Sequence, residues 1–469
     1  MNSLSRIIEV ILEGPLSEYA FGGPLSFEDK NTSDLEFLNR AFLFSLCSNE
    51  NPSTQRALQV LERETNLKNG LLQFYRTARE FILREVKENA EELKKAERLN
   101  PSGSVEETQR MVHEILFPEA NLRFDKDYTE KLREKRLVRI VKTNPTPIKD
   151  PCREVLFTSN ALLTVPESLT EQYRTRLGPS LSEWVEKTIT EEQLYWYDHP
   201  VEIGCPDEEN EVLYGLKGLS EALLFERTLK RLPTSSGLSV ALSASVTHKG
   251  LQCFVRQYLR HLVADKRLPG LEVFVLTEED TSKLIDEVIG PAFYDLTGKD
   301  ITAQMRQVFG VDGEYGRHYS FLKAIAAVWK VAINPHIKAT FKIDLDQVFP
   351  QESLLNETGL TALQHLCTPL WGAEGIDSEG EYVKLGLLAG ALVNQKDIER
   401  GLFTPDVVLP EGPPQADEVI FHSQVPQALS TIAEMLSRYI PETPIDGHNT
   451  CIQRVHVTGG TTGVLVDDL

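Results

Sequence analysis

The sequence predicts an α/β protein: a mixed sheet flanked by helices and preceded by an α-helical N-terminal region. Three observations carry that reading. Through about the first 125 residues apolar positions recur at three- and four-residue spacing, as at Leu58 and Leu61 and then Phe74, Ala78, Phe81, Ile82 and Val86, without strand-like alternation. After Gly237 a buried strand (SVALSASV), a one-faced helix (LQCFVRQYLRHLV) and a second strand (LEVFVL) follow one another, the pattern of a parallel βαβ unit. Further on, Phe341, Ile343 and Leu345 alternate with Lys342, Asp344 and Asp346, a strand with carboxylates along one side.

The 469 residues leave room for two or three domains, and a composition 41% hydrophobic and 8% aromatic is enough to bury their cores. Lys and Arg number 49 against 70 Asp and Glu, a formal charge of -21. That balance argues against a general affinity for nucleic acid, because a phosphate-tracking surface needs an excess of cations. Any anionic ligand has to be held locally. Six cysteines are scattered with no CxxC pair and no Cys/His cluster, as thiols in a reducing compartment would be. No eighteen apolar residues run together, so no transmembrane segment is expected, and Glu9 interrupts the apolar stretch of MNSLSRIIEVILEGP; the expected location is cytoplasmic.

Residues 1–125 form the expected helical region. One helix, REFILREVKENAEELKKAERL, ends at Asn100-Pro101, and SVEETQRMVHEIL opens with Ser104 and Glu107 in capping-box spacing. These helices are the surface through which the chain would associate with a partner or a second copy. Residues 126–232 read as a mixed connecting region, with RLVRIVKTNPTPIKDP and REVLFTSNALLTVP as short extended pieces between Pro-rich turns. The basic run KLREKRLVRIVK fits a solvated face, and the aromatic segment QLYWYDHPVEIG fits an interdomain contact or, as the alternative, sugar stacking. Residues 233–469 form the α/β domain. In it the helix FLKAIAAVWKVA leads through Asn334-Pro335 into ATFKIDLDQVFP, and EVIFHSQVPQALSTIAEML reads as strand, loop and helix.

Two residues along an extended strand span about 6.6 Å, so Asp344 and Asp346 at a strand end could both reach one hard cation, Mg²⁺ or Mn²⁺. Such an ion keeps positions open for the oxygens of a diphosphate and neutralises charge on a leaving phosphate. With these residues in this order, 236–469 resembles the nucleotide-sugar-dependent glycosyltransferases of the GT-A fold, with the Asp-x-Asp motif about a hundred residues after the first strand. The resemblance implies a GT-A-like mixed sheet and metal-dependent transfer of a sugar from a nucleoside-diphosphate sugar to a hydroxyl acceptor. It implies Ser245, Thr247 and Glu278 at the nucleoside, Arg317 and Lys323 at the diphosphate, Asp344 and Asp346 on the metal and the donor, and His456 as a further metal ligand. Trp371, Glu374 and Asp377 would lie toward the acceptor. The acid pair with which inverting members deprotonate the acceptor has no clear match, since Asp467 and Asp468 follow the glycines too closely, and the catalytic base stays unassigned.

Two rival readings use the same residues. IDLDQVF also fits a haloacid-dehalogenase-like, Mg²⁺-dependent phosphatase, with Asp344 as nucleophile, Asp346 as general acid and Thr458 on the phosphate. The third is a non-catalytic sugar-nucleotide-binding or scaffold protein. No GxxxxGK[ST], HExxH, GxSxG or GxGxxG motif is present.

Overall fold

The computed structural model describes residues 3–18, 23–25, 27, 35–62, 69–88, 93–99, 103–117, 119, 122–123, 125–195, 197, 199–233, 235–265, 268–313, 316–390, 392–410, 424–436, 446–453 and 461–469. The chain forms two compact units, 1–133 with 407–437, and 134–406 with 438–469. This differs from a division at 125 and 232 in two ways. The stretch read as a connecting region lies in the α/β unit from 134 onward, and a segment read as part of that domain, 407–437, belongs to the helical one.

Among its described residues the first unit consists of helices joined by turns and loops, without a strand. Ser3–Leu12, Leu35–Ser45, Pro52–Glu62, Asn69–Glu88, Val105–Leu116, Tyr128–Arg136 and Gln424–Leu436 are its longer helices. Ser104 caps Val105–Leu116, its hydroxyl accepting from the Glu107 amide at 3.3 Å, as the Ser/Glu spacing predicts. Ile7, Val10 and Ile11 pack with Leu99 and Val112, while Ile8 and Leu12 pack with Leu38 and Phe44, so the first helix joins two apolar clusters. Helix Gln424–Leu436 enters because Val425, Leu429 and Ala433 bury against Leu132.

The strands of the second unit are, in chain order, β1 (Leu137–Lys142), β2 (Val155–Thr164), β3 (Val201–Glu202), β4 (Leu238–Val246), β5 (Leu271–Leu276), β6 (Ala339–Lys342), β7 (Glu374–Ile376), β8 (Tyr382–Lys384), β9 (Leu387–Ala389), β10 (Thr450–Ile452) and β11 (Thr462–Leu465). A small sheet runs β10-β1-β7-β8, its pairs antiparallel. The main sheet runs β5-β4-β2-β6-β11-β9, with β3 beside β2. Within it β5, β4, β2 and β6 are parallel, β11 is antiparallel to both neighbours, and the sheet is therefore mixed.

The stretch REVLFTSNALLTVP is thus the central strand of the sheet, and LSVALSASV is its neighbour rather than the first strand. Alternate residues of β2 serve opposite faces. Val155, Phe157, Ala161 and Leu163 join Val240, Leu242, Ala244 and Phe341 in one core, covered by helices Glu211–Thr228 and Val255–Asp265. Leu156 and Ala241 join Phe321, Leu322, Ile325 and Trp329 in the other, covered by helix Arg317–Ala332. Among the described residues no helix is long and apolar enough to cross a membrane.

Candidate functional site

Winding proceeds from β2 outward through β4 to β5, then returns to the other side of β2 with β6. The carboxyl ends of β2 and β6 therefore splay into opposite connections, the place where open α/β sheets leave a crevice for a ligand. Chemistry changes there mainly on one face. Starting from Leu156 and Ala241, the face under helix Arg317–Ala332 continues as Thr158, Asn160, Leu162 and Thr164 on β2 and as Ser243, Ser245 and Thr247 along β4, while the opposite face stays apolar to Leu163 and Val246 except for Ser159, whose hydroxyl donates to the Ile343 carbonyl at 2.7 Å. The register sets Asn160 beside Ser243 and Leu162 beside Ser245.

These polar groups are organised. The Asn160 carboxamide oxygen accepts from Ser243 Oγ at 2.9 Å and Ser245 Oγ at 3.1 Å, and Ser245 also donates to the Val311 carbonyl. Thr247 Oγ1 donates to Thr164 Oγ1 at 2.7 Å and meets His248 Nδ1 at 2.8 Å. The aromatic segment before β3 lies against the same end of β4: Tyr197 Oη donates to the Val246 carbonyl at 2.7 Å and stacks on Tyr195, ring centres 3.8 Å apart. Tyr195 Oη accepts from the Gly313 amide at 2.6 Å. A Cβ on Gly313 would stand 3.3 Å from that oxygen and 3.8 Å from His318 Nδ1, which places the tyrosine and the imidazole around one loop, 309–313.

Gly316 takes a left-handed φ of 72° and turns this loop into helix Arg317–Ala332. The Arg317 guanidinium is folded back into it, donating to Asp312, Glu278 and, at 3.1 Å, the Phe309 carbonyl; its side chain is 10% exposed. Glu278 also accepts from the Val311 amide at 3.1 Å. The next residue, His318, has a buried Nδ1 with no hydrogen-bond partner, and burial, followed by the charge of Lys342, pushes the imidazole down to about 4. It is neutral at pH 7.

On the far side of the crevice β6 ends at Lys342. Ile343 still donates to the Thr158 carbonyl at 2.9 Å, but the chain then turns at Leu345 and Asp346, with Gln347 N bonded to the Asp344 carbonyl at 3.3 Å. Lys342 Nζ donates to Asp344 Oδ1 at 2.5 Å and sits 5.9 Å from the centre of the Tyr319 ring. Gln347 Nε2 donates to Asp344 Oδ2 at 3.2 Å and is itself anchored by Thr461 at 2.6 Å.

Of the residues picked from the sequence, Asp344 stands just past the carboxyl end of β6, where it pairs with Lys342, a residue not among those picked. Ser245 and Thr247 line the crevice wall but are 1% and 0% exposed, their hydroxyls already bonded within the sheet, so neither presents a free group to a nucleoside. Arg317 and Glu278 hold loop 309–313 instead of facing a diphosphate and a ribose. Lys323 is exposed, two turns along the helix. Trp371 is core, its Nε1 donating to the Gly386 carbonyl at 3.1 Å; Glu374 pairs with Lys142 at 2.9 Å; Asp377 closes a turn through the Glu379 and Glu381 amides. His456 and Thr458 lie outside the described residues, as does the strand expected within EVIFHSQV. The structure adds Asn160; His318, which GRHYSFLKA offers beside Arg317 and Lys323 for the diphosphate, is instead a buried neutral ring. Asn160 had a sequence signal, a polar triplet Thr158-Ser159-Asn160 interrupting an apolar run.

The described residues do not fit a divalent cation held between Asp344 and Asp346. The turn sends Asp346 toward Glu211, whose carboxyl is raised by burial and then by the Asp346 charge, whereas Asp344 faces Lys342. Among the described residues no three His, Cys, Asp or Glu side chains converge on a metal position. The ammonium also stands where the ion would: at an effective dielectric of about 20, unit charges about 4 Å apart repel by about 4 kcal/mol, and a divalent ion doubles that. No family model, curated protein or solved structure matches the chain.

Proposed function

We propose that the crevice at the carboxyl ends of β2, β4 and β6 is a nucleotide site, and that the chain is a glycosyltransferase acting on a nucleoside-diphosphate sugar. The observation that carries this reading is the one-sided switch from apolar to Ser, Thr and Asn where the winding of the sheet reverses. The other face of the same strands is apolar but for Ser159, whose hydroxyl is taken by the Ile343 carbonyl. The amide nitrogen of Asn160, with no partner among the described residues, and the part-exposed Thr164 suit the hydrogen bonds of a base or ribose edge. Lys342 supplies positive charge for phosphate oxygens. His318, with so low a pKa, serves as a neutral hydrogen-bonding partner and not as the acceptor's base.

A non-catalytic sugar-nucleotide binder is the second reading, favoured by the engagement of Asp344 with Lys342 and Gln347. Calorimetric titration of the full chain with uridine, guanosine and adenosine diphosphates and their sugar conjugates tests the site. One of them is expected to bind in the micromolar range, and Asn160→Ala to weaken it at least tenfold. Absence of binding by every member overturns the nucleotide reading; release of free sugar or transfer to water separates the transferase from the binder.

A further inference from the structure

We infer that the phosphates of the ligand take Lys342 from Asp344, so that the site works by exchange of one anion for another and needs no divalent ion. The inference rests on the nucleotide reading of the same crevice. Lys342 and Asp344 are both part-buried, with side chains 17% and 27% exposed, and they close on each other directly at the carboxyl end of β6. Their surroundings set what each can do. Around the ammonium lie the face of Tyr319, the uncharged His318 and the Asp344 carboxylate. Around the carboxylate, Gln347 is pinned by Thr461, which fixes Asp344 in place while Lys342, on a flexible stem, is able to swing.

An arriving phosphate offers more acceptor oxygens and more charge than a carboxylate, and it enters from the side on which the Asn160 amide nitrogen has no partner among the described residues. Asp344 is then a competitor that holds Lys342 in place in the empty crevice, and it opposes the ligand once it arrives. This reverses the sign of the Asp344 substitution. A metal-ligating aspartate is required for binding; a competing aspartate weakens it.

The test titrates inorganic pyrophosphate and the nucleoside diphosphates into wild type, Asp344→Asn and Lys342→Met, each in EDTA and in Mn²⁺. The expected result is equal affinity in EDTA and Mn²⁺ within twofold, at least fivefold tighter binding by Asp344→Asn, and at least tenfold weaker binding by Lys342→Met. Asp344→Ala repeats the first variant without the amide, and thermal melting confirms that each folds. Binding that requires Mn²⁺ and disappears in Asp344→Asn overturns this inference and leaves the nucleotide site standing. Metal-free pyrophosphate binding with no response to any nucleoside diphosphate upholds the exchange and overturns the nucleotide reading. Failure of both ligands overturns both.

Discussion

His318 pays for its place at the crevice with its proton. An unfolded histidine takes up a proton near pH 6.5, but burial of the ring, and then the charge of Lys342, hold it off until about pH 4, against the opposing pull of the Asp312 backbone. As pH falls from about 6.5 the unfolded chain binds a proton that the folded chain refuses, so stability is full above that pH and declines toward 4. The loss is on the order of 2 kcal/mol by pH 4.5, less than the whole shift because the ring is partly solvated. In His318→Gln the decrease of urea-unfolding free energy between pH 7.5 and 4.5 is expected to be smaller by about that amount. Parallel decreases in the two proteins would show an imidazole that titrates normally. Histidine and its charged neighbours were visible in GRHYSFLKA, but burial was not: spacing brings Arg317 and His318 to a helix start, and only the fold reveals that Arg317 is neutralised by Glu278 from 39 positions earlier.

Helix Glu211–Thr228 fixes the turn that separates Asp344 from Asp346. It does so with two glycines one turn apart on the face it presents to the 345–348 segment. A Cβ on Gly215 would lie 2.6 Å from Leu345 Cα and 2.7 Å from its carbonyl oxygen, so helix and turn are in backbone contact. Gly218 faces a side chain instead, Val348 Cγ1 at 2.5 Å, and Val348 is 42% exposed and able to rotate away. Gly215→Ala is therefore expected to cost about 2 to 3 kcal/mol in urea unfolding and Gly218→Ala under about 1 kcal/mol. Equal costs would mean that the turn yields as readily as the side chain. The two glycines show how far sequence reaches at this scale. LEVFVL, LQCFVRQYLRHLV and FLKAIAAVWKVA read correctly as strand, helix and helix because their apolar periods are unbroken. The central strand was harder to see, since Thr158, Ser159 and Asn160 break the apolar run that marks a buried parallel strand. The residues that make the crevice polar are those that disguise the strand bearing it, and strand β6 likewise stops short of the carboxylates that alternation assigned to it.

The whole molecule is discontinuous in sequence: the α/β unit is left after Asp406, the chain contributes 407–437 to the helical unit, and it returns to supply β10 and β11. Nothing local in QVPQALSTIAEML tells which core it serves, because an amphipathic helix is complementary to any apolar groove. Its partners decide it: Leu132, Phe117, Leu122 and Tyr128 come from the N-terminal region. The return is structurally obligatory, since β11 lies between β6 and β9 and its Gly463 admits the Trp371 ring, 2.7 Å from where a Cβ would be. A chain of 134–469 alone would keep the whole main sheet yet expose Val425, Leu429 and Ala433, and at about 25 cal/mol per Å² such an apolar stripe drives association. It is expected to aggregate in light scattering. Replacing 407–437 in that truncated chain by a flexible Gly/Ser linker removes the stripe and leaves every strand of both sheets, so this version is expected to run as a single species in size exclusion. A well-behaved 134–469 would mean that Val425, Leu429 and Ala433 do not drive association, and a linker version that still aggregates would mean that 134–469 does not fold apart from the rest of the chain.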